Sequence, residues 1–178
     1  MHPRRLLLIF INLLGGIAVL GSYAHGIASH ADSGAALWGH VPDAIRPLYN
    51  VSMLTAAAGY FLFAPYVIFR LDPDRARVGG RFGYNLYAAL FALILIPSAL
   101  WMPLTFAWRA SPSDALWLVD RVVLFLVGIG SVGLLLALMR TEPVPSVRGR
   151  RLAILGAALF TFQTAVLDAL VWPHFYRG

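Results

Sequence analysis

The sequence predicts an all-α membrane protein: a bundle of five transmembrane helices with the N-terminus in the cytoplasm and the C-terminus outside. Three observations carry this prediction. The chain of 178 residues is 60% hydrophobic and only 12% charged, whereas soluble domains carry about 25% charged residues. It contains five apolar runs, each long enough to cross a bilayer as a helix of about 20 residues. Arginine-rich and arginine-poor loops alternate between those runs.

The apolar runs are continuous, which favours helices, because the strands of a membrane barrel alternate in polarity over about ten residues. The predicted spans are residues 6–28, 48–69, 82–108, 115–139 and 152–172, and together they form a single domain, residues 1–178. The first run is longer than the apolar part of a signal peptide, so we expect it to be a retained span. Small residues at helical spacing predict close packing between helices: Gly15, Ala18, Ser22 and Gly26 in the first run, and Gly128, Ser131 and Gly133 in the fourth.

The distribution of arginine predicts the orientation. All fourteen basic residues are arginines. Ten of them lie before the first run, between the second and third, or between the fourth and fifth: Arg4, Arg5, Arg70, Arg75, Arg77, Arg81, Arg140, Arg148, Arg150 and Arg151. Only Arg46, Arg109 and Arg177 lie on the other side. The positive-inside rule then predicts a cytoplasmic N-terminus, in what we take to be a bacterial cytoplasmic membrane. Because topology explains the net charge of +6, no nucleic-acid partner is predicted.

Residue types that are missing exclude several chemistries. The chain has no cysteine, which excludes disulfides, thiolate metal sites and cysteine nucleophiles. It has no lysine either, which excludes Schiff-base chemistry. Histidine remains as a metal ligand, and His25 and His174 are the candidates for haem iron or another metal. The alternative is that these histidines are exposed residues without a ligand.

Charged residues inside a span are costly in lipid, so they are expected to face the protein and to find a partner. Arg121 lies near the outer start of the fourth run, and Asp168 lies at a similar depth in the fifth. We therefore predict a structural ion pair between Arg121 and Asp168, with Asp120 as the competing carboxylate. Extension of the Arg121 side chain to the membrane surface is the alternative.

The five tryptophans all lie outside or in the outer half of the predicted spans. An aromatic belt at the membrane surface explains Trp108, Trp117 and Trp172. Trp101 is too deep for a belt, and Trp38 lies in the first loop, residues 29–47. Apolar pockets with a few convergent polar groups are typical of small-molecule sites. We predict such a pocket in the outer half, covered by the first loop and lined by Trp38, Trp101, His25, Asn50, Thr105, Thr164 and Asp168.

Two segments resemble a known family. In the third run, Asn85 is followed by Ala-Leu-Trp-Met-Pro-Leu-Thr-Phe at residues 99–106. The first loop contains Trp38, Pro42 and Pro47 and leads into Leu-Tyr-Asn at residues 48–50. With five spans, these segments resemble the TspO/translocator protein family, the tryptophan-rich sensory proteins. The fifth run departs from that family's pattern. The resemblance implies a five-helix bundle that binds tetrapyrroles or sterol-like ligands beneath the first loop.

The leading functional hypothesis is therefore non-enzymatic. The protein is expected to bind or transport an apolar ligand within membrane lipid: a tetrapyrrole such as haem or another porphyrin, or else an isoprenoid or quinone. One alternative is a structural or assembly subunit of a homo-oligomer or larger membrane complex. A second is a small membrane-embedded enzyme that modifies lipids, with Asp168 or His25 as the acid–base residue.

Overall fold

The computed structural model describes residues 1–176, most of which lie in helices. Five of the helices are long and apolar enough to span a membrane, as expected of an integral membrane protein. The bounds of these helices, called spans 1 to 5 below, are Pro3–Ser29, Arg46–Arg70, Asn85–Ala110, Asp114–Arg140 and Val147–Tyr176. The prediction of five apolar helices is confirmed, with bounds that shift by a few residues. Arg177, which was predicted to lie on the arginine-poor side, and Gly178 are outside the described residues.

Side-chain caps mark where two spans begin. The Ser113 hydroxyl accepts a hydrogen bond from the Leu116 amide at 3.2 Å, and the Ser146 hydroxyl accepts one from the Gly149 amide at 3.0 Å. Serine is favoured at these positions because its oxygen satisfies an amide that has no partner within the helix. The caps place the start of span 5 several residues before the apolar run.

Two spans are not α-helical throughout. Span 2 is α-helical over Arg46–Pro65 and continues as a π-helix over Tyr66–Arg70. Span 5 is α-helical over Val147–Thr161, π-helical over Phe162–Val171 and α-helical again over Trp172–Tyr176. In a π-helix each amide bonds to the carbonyl five residues earlier, and such segments often occur at functional sites. The sequence predicted α-helical spacing throughout, so the faces assigned to residues after Thr161 need correction.

The spans pack in the order 1, 3, 4, 5 and 2. Small residues lie at the crossings, as predicted: Gly15 faces Leu95, and Gly128 faces Ala165. The closest crossing was not predicted. It joins spans 2 and 5, where a Cβ atom added at Gly59 would lie 2.4 Å from the Gly156 carbonyl oxygen.

A core of apolar side chains fills part of the bundle. The Phe63 ring is fully buried and packs against Tyr60 of its own span, Phe91 of span 3 and Phe160 of span 5. The Tyr60 hydroxyl donates a hydrogen bond of 2.5 Å to the Asn12 side chain, which links span 2 to span 1. These contacts connect four of the five spans.

The two ends of the bundle differ in composition. The arginine-rich end holds the N-terminus and the loops after spans 2 and 4. Those loops form a small antiparallel sheet in the order β2-β1-β3, with strands β1 (Arg77–Val78), β2 (Phe82–Gly83) and β3 (Thr141–Glu142). This sheet was not predicted from the sequence. The tryptophan-rich end holds the loop between spans 1 and 2, residues 30–45, called loop one, which contains a short helix, Ser33–Ala36.

Candidate functional site

Aromatic rings at the tryptophan-rich end pack against one another. Trp117 is 7% exposed and Trp172 is 4% exposed. A residue in an aromatic belt keeps its ring at the lipid headgroups, so the belt interpretation of these two residues is wrong. The rings form one set of contacts, with centroid separations of 4.1 to 6.0 Å. This aromatic cluster consists of Trp101, Trp108, Trp117, Trp172 and Tyr176.

Loop one is attached over the aromatic cluster. The Trp172 indole donates to the Leu37 carbonyl at 2.9 Å, and the Tyr176 hydroxyl donates to the Ala36 carbonyl at 3.0 Å. Arg109, at the end of span 3, forms an ion pair of 2.9 Å with Asp32. The hydrogen bond and positive charge of Arg109 lower the pKa of Asp32 from its ordinary value. Loop one is thus held by both charged and neutral contacts to spans 3 and 5.

The π-helical segment of span 5 orients Asp168. The Gln163 side-chain amide donates to the Asp168 carboxylate at 2.7 Å. Residues five apart lie about 140° apart around an α-helix, but the wider π-helical turn brings them to one face. Asp168 is partly buried, and the Tyr49 hydroxyl donates to the carbonyl of the preceding residue, Leu167, at 3.0 Å. Spans 2 and 5 are therefore joined beside this carboxylate.

A second carboxylate, Asp120 of span 4, is fully buried at the same end. The Thr105 hydroxyl lies 3.3 Å and 3.5 Å from its two oxygens and 3.0 Å from the Trp101 carbonyl. A hydroxyl has a single proton to donate, so Asp120 competes with a backbone carbonyl for its hydrogen bond. Asp120 is thus weakly satisfied for a buried carboxylate.

The predicted ion pair between Arg121 and Asp168 is not formed in the structure. Asp168 accepts its hydrogen bond from Gln163, and the Arg121 guanidinium lies over the Phe125 ring at 5.5 Å. Residues 1–176 contain no ion pair that involves either residue. The two residues share a depth in the bundle, but the prediction had no information on their rotation about the helix axes.

Several buried polar atoms in this half of the bundle lack a partner among the described residues. Three of them belong to the site: the indole nitrogens of Trp101 and Trp108, which are donors, and the side-chain oxygen of Gln163, which is an acceptor. The Trp101 ring packs edge-on against Tyr23 and Trp172, with centroids 5.8 Å from each. Trp101 therefore contacts the interior of the bundle, as the pocket prediction requires. Each unpaired buried group costs about 1–3 kcal/mol.

The structure brings only part of the predicted pocket together. The Thr105 hydroxyl and the Trp101 carbonyl are joined by a hydrogen bond of 3.0 Å, and the Trp101 ring packs on Trp172 of span 5, the span that carries Asp168. Trp38 lies at the edge, 5.7 Å from the Tyr49 ring and beneath the Arg46 guanidinium at 5.6 Å. Its position closes one side of the site beneath loop one.

The other three predicted residues lie elsewhere. Thr164 donates to the Ser131 hydroxyl at 2.8 Å, so it joins spans 4 and 5 and does not line the site. Asn50 is exposed, because its neighbour Tyr49 occupies the inward face of span 2. His25 is exposed and lies within 3.3 Å of the Ser29 hydroxyl. These are corrections to the predicted lining.

The two histidine metal candidates do not lie in a cluster of metal-binding side chains among the described residues. No group of three or more histidine, cysteine, aspartate or glutamate side chains among residues 1–176 could hold a metal ion. His174 is exposed and packs edge-on against Phe175. His25 and His174, the two metal candidates, both lie outside the aromatic cluster. His30 stacks on the Phe106 ring with centroids 3.7 Å apart.

Sequence reasoning missed the tyrosines and the role of Gln163. Tyr49 donates to the carbonyl of Leu167 beside Asp168, Tyr23 packs on Trp101, and Tyr176 attaches loop one. The sequence places these tyrosines within or beside apolar runs at the tryptophan-rich end, and that placement could have indicated them as site residues. The orientation of Gln163 depends on the π-helical turn and had no such signal. Comparison of the chain with protein-family models, with curated proteins and with solved structures finds no match.

Proposed function

We propose that this chain is an integral membrane protein that binds or transports an apolar ligand at its tryptophan-rich end, beneath loop one. One observation carries the proposal. A buried donor on Trp101 and a buried acceptor on Gln163 lack partners beside a cluster of aromatic rings. Apolar walls with a few polar groups are typical of small-molecule sites, and a ligand with matching groups would recover the free energy lost at those atoms.

The chemistry of the site narrows the choice of ligand. Flat aromatic walls suit a planar ring system, and the resemblance to the TspO family supports a tetrapyrrole. A quinone is the second candidate, because its carbonyl oxygen can accept a hydrogen bond from the Trp101 indole. In either case entry into the finished protein requires displacement of loop one, which breaks its bonds to Trp172 and Tyr176.

Trp101→Ala is expected to weaken binding of a porphyrin or a quinone several-fold, since an aromatic contact is worth on the order of 1 kcal/mol. Titration of the purified protein in detergent, followed by visible absorption or fluorescence, measures this change. Leu100→Ala is the matched control, because Leu100 is the adjacent residue and is 49% exposed. Trp101→Phe keeps a ring and removes the donor. Equal affinity for Trp101→Ala and wild type would rule out the site.

The same proposal places the arginine-rich end in the cytoplasm of a bacterial cell. A reporter inserted at Gly79 is expected to read as cytoplasmic, and one fused after Gly178 as periplasmic. Gly79 is a suitable position because it is exposed and lies in the loop between spans 2 and 3. The opposite pair of readings would reverse the orientation and move the site to the cytoplasmic side.

The alternative function, an assembly subunit, is favoured by the exposure of span 1. Only 6% of its most apolar window is buried within the chain, against 33–50% for the other spans. Its exposed face includes Phe10, Leu13, Ile17 and Leu20. Either lipid or a partner helix covers this face in a membrane. Purification in a mild detergent separates the two, because an assembly subunit would retain partner chains at a fixed stoichiometry.

A further inference from the structure

Two aspartates at the tryptophan-rich end form no ion pair with an arginine among the described residues. Arg46 pairs with Asp43 at 2.8 Å, and Arg109 pairs with Asp32 at 2.9 Å. Both pairs lie in or beside loop one. Deeper in the bundle, neither Asp120 nor Asp168 forms an ion pair within residues 1–176.

A carboxylate in apolar surroundings needs a positive partner or a proton, because an isolated buried charge is costly. Asp168 accepts one hydrogen bond, from Gln163, and its second oxygen accepts none among the described residues. It is also partly accessible, whereas Asp120 is fully buried beside Thr105. Of the two carboxylates, Asp168 is therefore the one that a ligand can reach.

The surroundings of Asp168 indicate what kind of cation fits. The Tyr49 hydroxyl donates to the carbonyl of Leu167, the residue before Asp168, at 3.0 Å, and the Trp38 ring packs edge-on against Tyr49. Trp101 packs edge-on against Tyr23 of span 1 and against Trp172, four residues after Asp168. Aromatic faces attract cations, and cages of such rings recognise quaternary ammonium groups. A metal ion such as Ca²⁺ would instead need six to eight oxygen ligands, and the described residues offer no cluster of metal-binding side chains there.

We propose that the site beneath loop one selects an organic cation with apolar substituents, such as a hydrophobic amine, a quaternary ammonium or a phosphonium. The Asp168 carboxylate neutralises the charge of the ligand, and the aromatic rings contact its substituents. This inference rests on the proposed function and narrows the ligand class of that site. It adds the requirement that the ligand carries a positive charge, which the proposed function alone does not demand.

Binding of tetraphenylphosphonium to the full-length chain in uncharged detergent micelles tests the proposal, with equilibrium dialysis as the measurement. Wild-type protein is expected to bind the probe saturably. Asp168→Asn keeps the shape of the side chain and removes its charge, and is expected to weaken binding about tenfold or more. Asp168→Glu, which keeps the charge, is expected to retain most of the affinity. Asp43→Asn is the matched control, since Asp43 is an exposed carboxylate at the same end.

An uncharged probe of similar shape, triphenylphosphine oxide, separates charge from apolar contact. Wild type is expected to bind tetraphenylphosphonium more tightly than this neutral probe, and Asp168→Asn to remove the difference. Comparing the two probes on wild-type protein needs no variant, so it decides the question even if Asp168→Asn does not fold. Equal binding of both probes to wild type, or equal binding of the cation to wild type and Asp168→Asn, overturns the proposal.

The outcomes also distinguish this inference from the proposed function. If a porphyrin or quinone binds in a way that depends on Trp101 and tetraphenylphosphonium does not bind, the requirement for positive charge is wrong and the apolar site stands. If neither the neutral ligands nor the cation bind, both proposals are wrong.

Discussion

Phe63→Ala is expected to lower the free energy of unfolding by several kcal/mol, on the order of 3–5 kcal/mol for removal of a buried phenylalanine ring. The Phe63 ring is fully buried and contacts Tyr60, Phe91 and Phe160, with centroids 5.1, 6.0 and 5.5 Å away. These partners come from three different spans. Alanine would leave a void where the spans meet, and the rigid helices around it can collapse only in part.

The chain offers a matched control for this substitution. Phe61 lies two residues earlier on the same span and is 74% exposed. Residues two apart point to opposite sides of a helix, so Phe61→Ala removes the same atoms from a lipid-facing position. Reversible unfolding in mixed detergent micelles compares the two variants. Similar losses for Phe61→Ala and Phe63→Ala would contradict the core described for spans 2, 3 and 5.

Gly59→Ala is expected to separate spans 2 and 5. A Cβ atom at Gly59 would lie 2.4 Å from the Gly156 carbonyl oxygen, and one at Gly156 would lie 2.5 Å from the Gly59 carbonyl oxygen. Both carbonyl oxygens belong to the backbone, so the clash can be relieved only if the two helices move apart. Overpacking of this kind costs about 1–3 kcal/mol or more. Alanine also favours a helix over glycine by about 1 kcal/mol. Gly59→Ala therefore lowers the free energy of unfolding only if the cost of the clash is larger than this gain.

Gly16→Ala provides the comparison, because an added Cβ atom at Gly16 of span 1 meets nothing within 4 Å. It is expected to leave stability unchanged or to raise it slightly, since only the helix preference remains. The same unfolding measurement applies to both variants. A neutral Gly59→Ala would show that the two backbones do not approach as closely as described.

The sequence was sufficient for features that depend on hydropathy and on order along the chain. Apolar length predicted the five spans, and the alternation of loops placed the tryptophans and the ten arginines at opposite ends. Small residues at helical spacing predicted where spans 1 and 4 approach their neighbours. These features are set locally, because a run of apolar residues must become a helix in lipid whatever it packs against.

Rotation about the helix axes could not be predicted in the same way. Depth alone suggested that Arg121 and Asp168 would meet, yet Asp168 turns toward Gln163. The choice between Asn50 and its neighbour Tyr49 depends on a difference of one residue, about 100° around the helix. Thr164 was assigned by α-helical spacing to a face that the π-helical segment displaces. The general tendency of tryptophans to lie at the membrane surface does not hold for Trp117 and Trp172, because their rings pack inside the bundle.

The contacts that hold loop one in place can form only late in synthesis of the chain. The bond from Trp172 to Leu37 spans 135 residues, and the bond from Tyr176 to Ala36 spans 140. Chains are made from the N-terminus at about 5–20 residues per second, so loop one exists for several seconds before its anchors emerge. Throughout that interval the inner walls made by spans 1 and 3 are uncovered. Under the proposed function, a ligand already present in the membrane can therefore be enclosed as the protein is assembled, without any later opening of the loop.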